Sequence, residues 1–429
     1  MKYKDLSKEE LKQIHENLKK DLGNLTSENK NYNLTRGLPS FDMVDFSNDM
    51  FEILKKDSDF KTEDGIDCRN YGVLDGIVDA KKLMGELMSV PYQNVIVGGN
   101  SSLMLMHFIV TLAYTKGLVY SKAPWSKQKV KILFPCPGYD RHFDMCKSYD
   151  FELVAINFKE DGPDIEKIEE LIKDDSVKGI FCVPKYSNPT GHIYSDKIIR
   201  KLANLSPAAE DFCIFYDNAY AVHDFDTENP RNLLPIWNEL EKNKKQNMVI
   251  GFSSTSKITI PGSGISALFS GSEQIEHIKK YLALQIISFD KVNQLRHTRF
   301  LKDLNGIKNL MKKTTPIAKS KFDLFLNILN KELKDLNIAN WSNPKGGYFI
   351  SFNTLNGLAK RTTEICNKYG INLIAAGSTF PYGNDPQNNN IRIAPTALTI
   401  EELEKGAEIF ANCVKLVAIE FYLRQLNLE

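Results

Sequence analysis

Apolar and polar positions along this chain alternate in a way that predicts strands and helices by turns over most of its length. Asn94–Val97, Val130–Phe134, Phe151–Ile156, Gly179–Val183, Phe212–Tyr216 and Met248–Phe252 are short apolar runs bounded by turn residues, the signature of buried strands. Between them, helical spacing recurs at Ile77, Leu83, Met84, Leu87 and Met88, at 103–113, at 165–173 and at 198–205. Strands alternating with helices imply βαβ units, and so an α/β fold with a three-layer αβα large domain around a mainly parallel sheet. Beyond residue 304 the pattern changes. A long helical stretch, Leu304–Leu336, is followed by short strands at Tyr348–Phe352, Gly370–Ile374 and Asn390–Ile393, and a helix closes the chain from Thr399. That order reads as a smaller α+β domain. At the other end, Ser7 and Glu10 form a capping-box pattern, Leu6 and Leu11 fit the hydrophobic staple, and Leu11, Ile14 and Leu18 share one helical face. This first helix is expected to dock on the body, with a lid over an active site as the sharper alternative.

Length and composition narrow the picture. At 429 residues the chain exceeds what one hydrophobic core serves, so two domains are expected and a third is allowed. The expected boundaries are 1–46 for an N-terminal segment joining the small domain, 47–304 for the large domain and 305–429 for the small one. Lys and Arg number 55 against 54 Asp and Glu, which leaves no electrostatic footprint for nucleic acid or a membrane surface. No apolar stretch approaches the roughly 20 residues that span a bilayer. The charged N-terminus has no apolar core of a secretory signal, so a cytoplasmic protein is expected. The seven cysteines, at 68, 136, 146, 182, 213, 366 and 413, form no C-x-x-C pair and read as reduced thiols, and no metal site is expected.

Candidate chemistry gathers where the strands end. In open α/β sheets ligands bind beyond the carboxyl ends of the strands. Tyr139, Asn188, Asp217 and Lys257 each follow one of the predicted parallel strands, so all four are expected at one sheet edge. Lysine, buried acid and oriented amide are the groups that pyridoxal phosphate requires. Lys257 would form the Schiff base, and Asp217 would hold the pyridine nitrogen protonated. Tyr220 and Asn188 would donate hydrogen bonds to the phenolic oxygen, and Tyr139 would stack on the ring. Gly99-Asn100-Ser101-Ser102 opens a helix after a strand, which makes it a candidate phosphate site, helped by Ser254. Arg392 lies in an apolar strand, where its guanidinium needs a partner. A substrate carboxylate suits its fork, and an ion pair with a protein acid is the plainer alternative.

The set Arg36-Gly37-x-Pro39, Tyr71-Gly72, Gly99–Ser102, Gly138-Tyr139, Asn188-Pro-Thr-Gly191, Asp217-x-x-Tyr220, Ser254-x-x-Lys257, Gly346-Gly347 and Arg392 resembles the class I/II aminotransferases of fold type I. The resemblance runs from about residue 30 to 420. Thr35–Pro39, Pro137–His142, Val183–Gly191 and Ser254–Thr259 are closer to a bacterial aspartate-aminotransferase branch once grouped with the aminotransferase-like domain of MocR regulators. It implies amino-acid and 2-oxo-acid substrates, with aspartate and 2-oxoglutarate as the favoured pair. It also implies a homodimer in which Tyr71 reaches the partner's cofactor phosphate, and a substrate site at Gly37, Asn188 and Arg392. Arg36, Arg141 and Lys185 are candidates for the side-chain carboxylate. One departure stands out. Most of the superfamily places a phosphate-binding arginine about eight residues after the lysine, whereas Ile258–Ile265 holds no cation. Phosphate binding would then lean on backbone amides, Ser254, Ser256 and Tyr71. Other reactions on the same cofactor (a β-lyase, or a transaminase for aromatic amino acids, kynurenine or alanine) remain open, as does a MocR-like regulator. Only about 30 residues precede the Thr35 motif, and the net charge of +1 gives a DNA-binding module little support.

Overall fold

A computed structural model describes residues 2–26 and 30–426 of the chain. Its strands in chain order are β1 (Tyr32–Asn33), β2 (Val95–Val97), β3 (Lys131–Cys136), β4 (Glu152–Lys159), β5 (Gly162–Pro163), β6 (Val177–Cys182), β7 (Cys213–Asp217), β8 (Val249–Ser254), β9 (Ser266–Ser270), β10 (Ala339–Trp341), β11 (Ile350–Thr354), β12 (Ile371–Asn372) and β13 (Asn390–Ile393). Eight of these form one sheet in the order β2-β9-β8-β7-β6-β3-β4-β5. The run β8-β7-β6-β3-β4 is parallel throughout. β9 runs against both its neighbours and β5 runs against β4.

Side-chain alternation along β7 explains the layers. Ile214 and Tyr216 enter one hydrophobic core with Leu83, Leu202, Leu240 and Leu295, which come from helices on that face. Cys213 and Phe215 enter another with Ile109, Phe143 and Ile278, from helices on the opposite face. A strand covered on both sides carries no polar alternation, which is why these strands read as continuous apolar runs.

A third core holds the remaining elements together. Leu11, Leu18 and Leu22 of the helix Lys8–Leu25 pack with Phe325 and Leu329 of the helix Leu304–Leu333, Phe352 of β11 and Phe410 of the helix Ile400–Gln425. The Ser7/Glu10 capping box is present, with Ser7 accepting from the Glu10 amide. The first helix is thus docked on the C-terminal elements, and it contributes no residue to the cavity described below. The antiparallel sheet β10-β11-β13 backs this core, while β1 pairs in parallel with β12. The strand expected over 370–374 shortens to two residues, and the helix expected to reach Leu336 ends at Leu333 with a 3-10 turn beyond it. No helix among the described residues is long and apolar enough to cross a membrane.

Candidate active site

The carboxyl ends of β3, β6, β7 and β8 meet β13 around a cavity of about 500 Å³. Of the residues named from the sequence, Gly37, Arg36, Ser101, Ser102, Tyr139, Arg141, Asn188, Asp217, Tyr220, Ser256, Lys257 and Arg392 all line it. The lining holds four cations (Arg36, Arg141, Lys257 and Arg392) against two carboxylates (Asp140 and Asp217), which favours an anionic ligand.

Asp217 is the last residue of β7 rather than the first residue beyond it. Its Oδ1 is buried without a hydrogen-bond partner, and its Oδ2 lies 3.3 Å from His142 Nε2, within ion-pair range but off hydrogen-bond alignment. A buried carboxylate oxygen left free in this way fits a ring N–H donor. His142 stands three residues after Tyr139, in the helix Asp140–Lys147, so both rings face the same side. They meet edge to face with centroids 4.9 Å apart, and His142 also packs on Phe181 at 4.7 Å.

Lys257 follows β8, and its backbone is held from two directions. Its carbonyl accepts from His223 Nε2 at 3.2 Å and from Tyr348 Oη at 3.4 Å. Its Nζ lies 5.2 Å from the centroid of the Tyr220 ring. Burial pushes the ammonium pKa down, with Asp217 pulling the other way, so the neutral amine is favoured relative to an ordinary lysine. Burial raises the Tyr220 hydroxyl well above its usual range and Tyr139 to about 12, so both remain protonated donors.

Arg392 sits in β13 opposite Ser351 of β11. One terminal nitrogen donates to Asp140 Oδ1 at 2.8 Å and to Asn188 Oδ1 at 3.4 Å, and the other to the Thr35 carbonyl at 3.3 Å. Its guanidinium carbon lies 4.9 Å from the Phe349 ring centroid. The ion pair with a protein acid therefore exists, through Asp140, and yet Nε is buried without a partner. That leaves one edge of the fork available to a carboxylate. Gly37 is required by the same approach of elements. A Cβ there would stand 2.8 Å from both Phe349 Cζ and Tyr348 Cβ.

At the other end of the cavity, Ser101 occupies the N-cap position of the helix Ser102–Thr115, but its side chain makes no capping bond. Its hydroxyl is thus available beside a helix N-terminus, where anions are favoured. Ser254 Oγ and Ser256 Oγ lie 2.8 Å apart, and only Ser256 reaches the lining. The arginine-free loop after Lys257 is held by an amide instead. Asn293 Nδ2 donates to the Ser263 and Gly264 carbonyls, each at 3.0 Å.

Besides Ser254, three residues named from the sequence fall outside the lining. Asn100 is exposed, and its Nδ2 turns to the Gly262 carbonyl at 3.4 Å. Tyr71 is 80% exposed. Lys185 is buried against Asp224 at 2.7 Å and the Ala221 carbonyl at 2.9 Å, a structural ion pair that removes it from the candidates for substrate recognition. Arg36 and Arg141 remain, both in the lining and neither with an ion-pair partner among the described residues. Asp140, His142, His223, Tyr348 and Phe349 were missed in the sequence reading. Only His142 carried a usable signal, its i+3 spacing from Tyr139.

Comparison with known proteins places the chain in a family. The family model described as aspartate amino-transferase matches residues 6–426. An aspartate aminotransferase of Corynebacterium glutamicum is 39% identical over 419 residues, 97% of this chain and 96% of its own length. A crystal structure of an aspartate transaminase from the same species superposes with a TM-score of 0.94 at 38% identity, covering 98% of this chain and 99% of that one. The fold is also that of an α-aminoadipate aminotransferase of Thermus thermophilus, complexed with N-(5′-phosphopyridoxyl)-L-leucine. That likeness has a TM-score of 0.74 at 17% identity, over 90% of this chain and 92% of that one.

Proposed function

The chain belongs to the aspartate amino-transferase family and is an aminotransferase, and we propose that it uses pyridoxal 5′-phosphate to move an amino group between L-aspartate and 2-oxoglutarate. The observation that carries the cofactor reading is the convergence of Lys257, Asp217, Asn188, Tyr220 and Arg392 on one cavity, with Asp217 Oδ1 and Arg392 Nε both buried and unpartnered. The cofactor, when bound, supplies an aldehyde for amine attachment and a ring that withdraws electrons.

This chain's residues then divide the work. Asp217 would hold the ring nitrogen protonated, with His142 beside the carboxylate. Asn188 and Tyr220 would donate to the phenolic oxygen, and Tyr139 would cover a ring face. Ser101, Ser102, Ser256 and the amides at the helix N-terminus hold the phosphate, joined by Tyr71 of a second subunit in a homodimer. Lys257 would hold the cofactor through its aldehyde, and its free Nζ would take the proton from the substrate α-carbon, which a pKa lowered by burial suits. Arg392 grips the α-carboxylate through Nε and its neighbouring nitrogen. Arg141 and Arg36, in the same cavity and without an ion-pair partner among the described residues, are the candidates for the aspartate side chain.

The visible spectrum of the purified holoenzyme tests this reading. Adding amino acids one at a time should bleach the absorbance of the lysine-bound cofactor with aspartate, and oxaloacetate or 2-oxoglutarate should restore it. An unaltered lysine-bound band in Lys257→Ala would overturn the cofactor assignment. A loss of activity in Arg141→Ala that is equal for alanine and aspartate would remove Arg141 from side-chain recognition.

A further inference from the structure

A second cavity, of about 430 Å³, opens beside β7 and shares no lining residue with the first. Leu87, Met88, Leu234, Ile236 and Met311 give it an apolar wall. Two polar side chains from β7 and its end, Tyr216 and Asn218, also line it. Tyr216 is 3% exposed, and Tyr216 Oη and Asn218 Oδ1 are both buried without a hydrogen-bond partner. Most charged groups in the lining are already engaged. Lys185 pairs with Asp224 at 2.7 Å, Lys312 with Glu228 at 2.9 Å, and Glu86 accepts from the Leu304 amide at 3.0 Å. Arg231 and Lys308 are exposed at the mouth, and neither has an ion-pair partner among the described residues.

We propose that this cavity is a second ligand site, taking a small amphipathic acid with an apolar or aromatic body, a hydroxyl at its inner end and a carboxylate at its mouth. The volume falls in the range of small-molecule sites, and the mix of apolar wall and few polar groups is what such sites use. A hydroxyl suits the inner end because it can donate to Asn218 Oδ1 and accept from the Tyr216 hydroxyl. An ammonium could not accept, and it would stand in the same cavity as Lys185. A carboxylate suits the mouth because the two unengaged charges there are both cations.

The site is also placed to affect the first one. Asp217 lies between Tyr216 and Asn218, and the segment continues through Ala219 and Tyr220, in the first lining, to Ala221, Val222 and Asp224, in the second. An occupant here bears on the segment that carries Asp217 and Tyr220. It is expected to change the rate without competing with substrate. That consequence rests on the function proposed above, whereas binding itself does not.

The probe is 3-(4-hydroxyphenyl)propionate, titrated calorimetrically into the full-length holoenzyme. One probe should bind per chain. Met311→Trp, which fills the cavity, should weaken it by about tenfold or more, with smaller but measurable losses in Lys308→Glu and Tyr216→Phe. Arg392→Ala should leave this binding intact. Two bound probes, one lost with Met311→Trp and one with Arg392→Ala, would support the site equally. No binding at millimolar probe overturns the proposal, and so does binding abolished by Arg392→Ala. Should Met311→Trp fail to fold, an affinity indifferent to both Lys308→Glu and Tyr216→Phe overturns it.

Discussion

Arg392 shows how much a single side chain depends on its neighbours. Its charge is already met by Asp140 at 2.8 Å, yet Nε is buried and unpartnered. Asp140 therefore fixes one end of a guanidinium whose residue lines the cavity. A hydrogen bond to a charged group contributes about 1.5–3 kcal/mol. Asp140→Asn keeps the size and one acceptor oxygen but removes the charge. The variant should lose roughly tenfold in kcat/KM, mainly through a higher KM, since a loosened Arg392 grips the carboxylate less well. The loss should be equal for aspartate, glutamate and alanine, because all three share the α-carboxylate. Steady-state kinetics with the three amino acids checks this, and a loss confined to aspartate would place Asp140 at the side-chain end instead.

Among elements, the helix Lys291–Leu301 has a larger part than its sequence suggests. Asn293 fastens Ser263 and Gly264, and His297, fully buried, lies 3.1 Å from Thr259 Oγ1 while Nδ1 donates to the Asn293 carbonyl at 2.9 Å. The helix thereby pins the loop that follows Lys257. His223, which holds the Lys257 carbonyl, is buried likewise. Burial lowers both imidazoles from about 6.5 to about 4. Between those values the unfolded chain takes up protons that the native protein does not, so stability is fully present above about pH 6.5 and falls as pH drops toward 4. Melting temperature should accordingly be lower at pH 5 than at pH 7.5. His297→Gln should narrow that gap, which thermal melts of both proteins at the two pH values would reveal. The elements lying over 266–301 are also a part of the fold that the hydrophobic pattern left unread, as are the helices Asp140–Lys147, Ile236–Lys242 and Ala359–Lys368. β9 has only Ala267, Leu268 and Phe269 between two serines, too short a run for any period to show. Ser266 and Ser270 are nevertheless fully buried, because their hydroxyls bond the Gly99 and Val249 carbonyls. The parallel strands, by contrast, were legible because burial on both faces leaves a run of apolar residues with turn residues at its ends. The same logic made Lys257 and Asp217 legible, since Asp217 ends such a strand and Lys257 follows one three residues on. It could not reach Asp140 or Tyr348, whose roles arise from contacts over 252 and 91 residues of chain.

At the scale of the whole molecule, several exposed apolar residues lie near one helix. Lys291 Nζ donates to the Asn70 carbonyl at 2.6 Å and the Gly72 carbonyl at 2.9 Å, so the loop that carries Tyr71 is tied to the start of the helix Lys291–Leu301. Leu284 and Ile287, 81% and 61% exposed, lie just ahead of that helix, and Arg296 within it covers Phe51 at 5.4 Å. The Tyr71 loop and Phe51 are thus held to one helix, with the exposed Leu284 and Ile287 just before it in the chain, and exposed apolar residues of this kind suit a partner surface. The proposed homodimer, in which Tyr71 would serve the neighbouring cavity, would give a role to an aromatic that is 80% exposed and outside the lining of its own cavity. The arrangement has a consequence that a monomeric site lacks. Lys257→Ala and Tyr71→Ala should each be weak or inactive as homodimers. Unfolded together in equal amounts and refolded, they should yield hybrids in which one cavity carries both defects and the other carries none. Random pairing makes half of the dimers hybrid, so about a quarter of all cavities should regain normal turnover. Activity that stays at the sum of the two parents, in a mixture shown to contain hybrids, would mean that Tyr71 acts within its own chain or not at all.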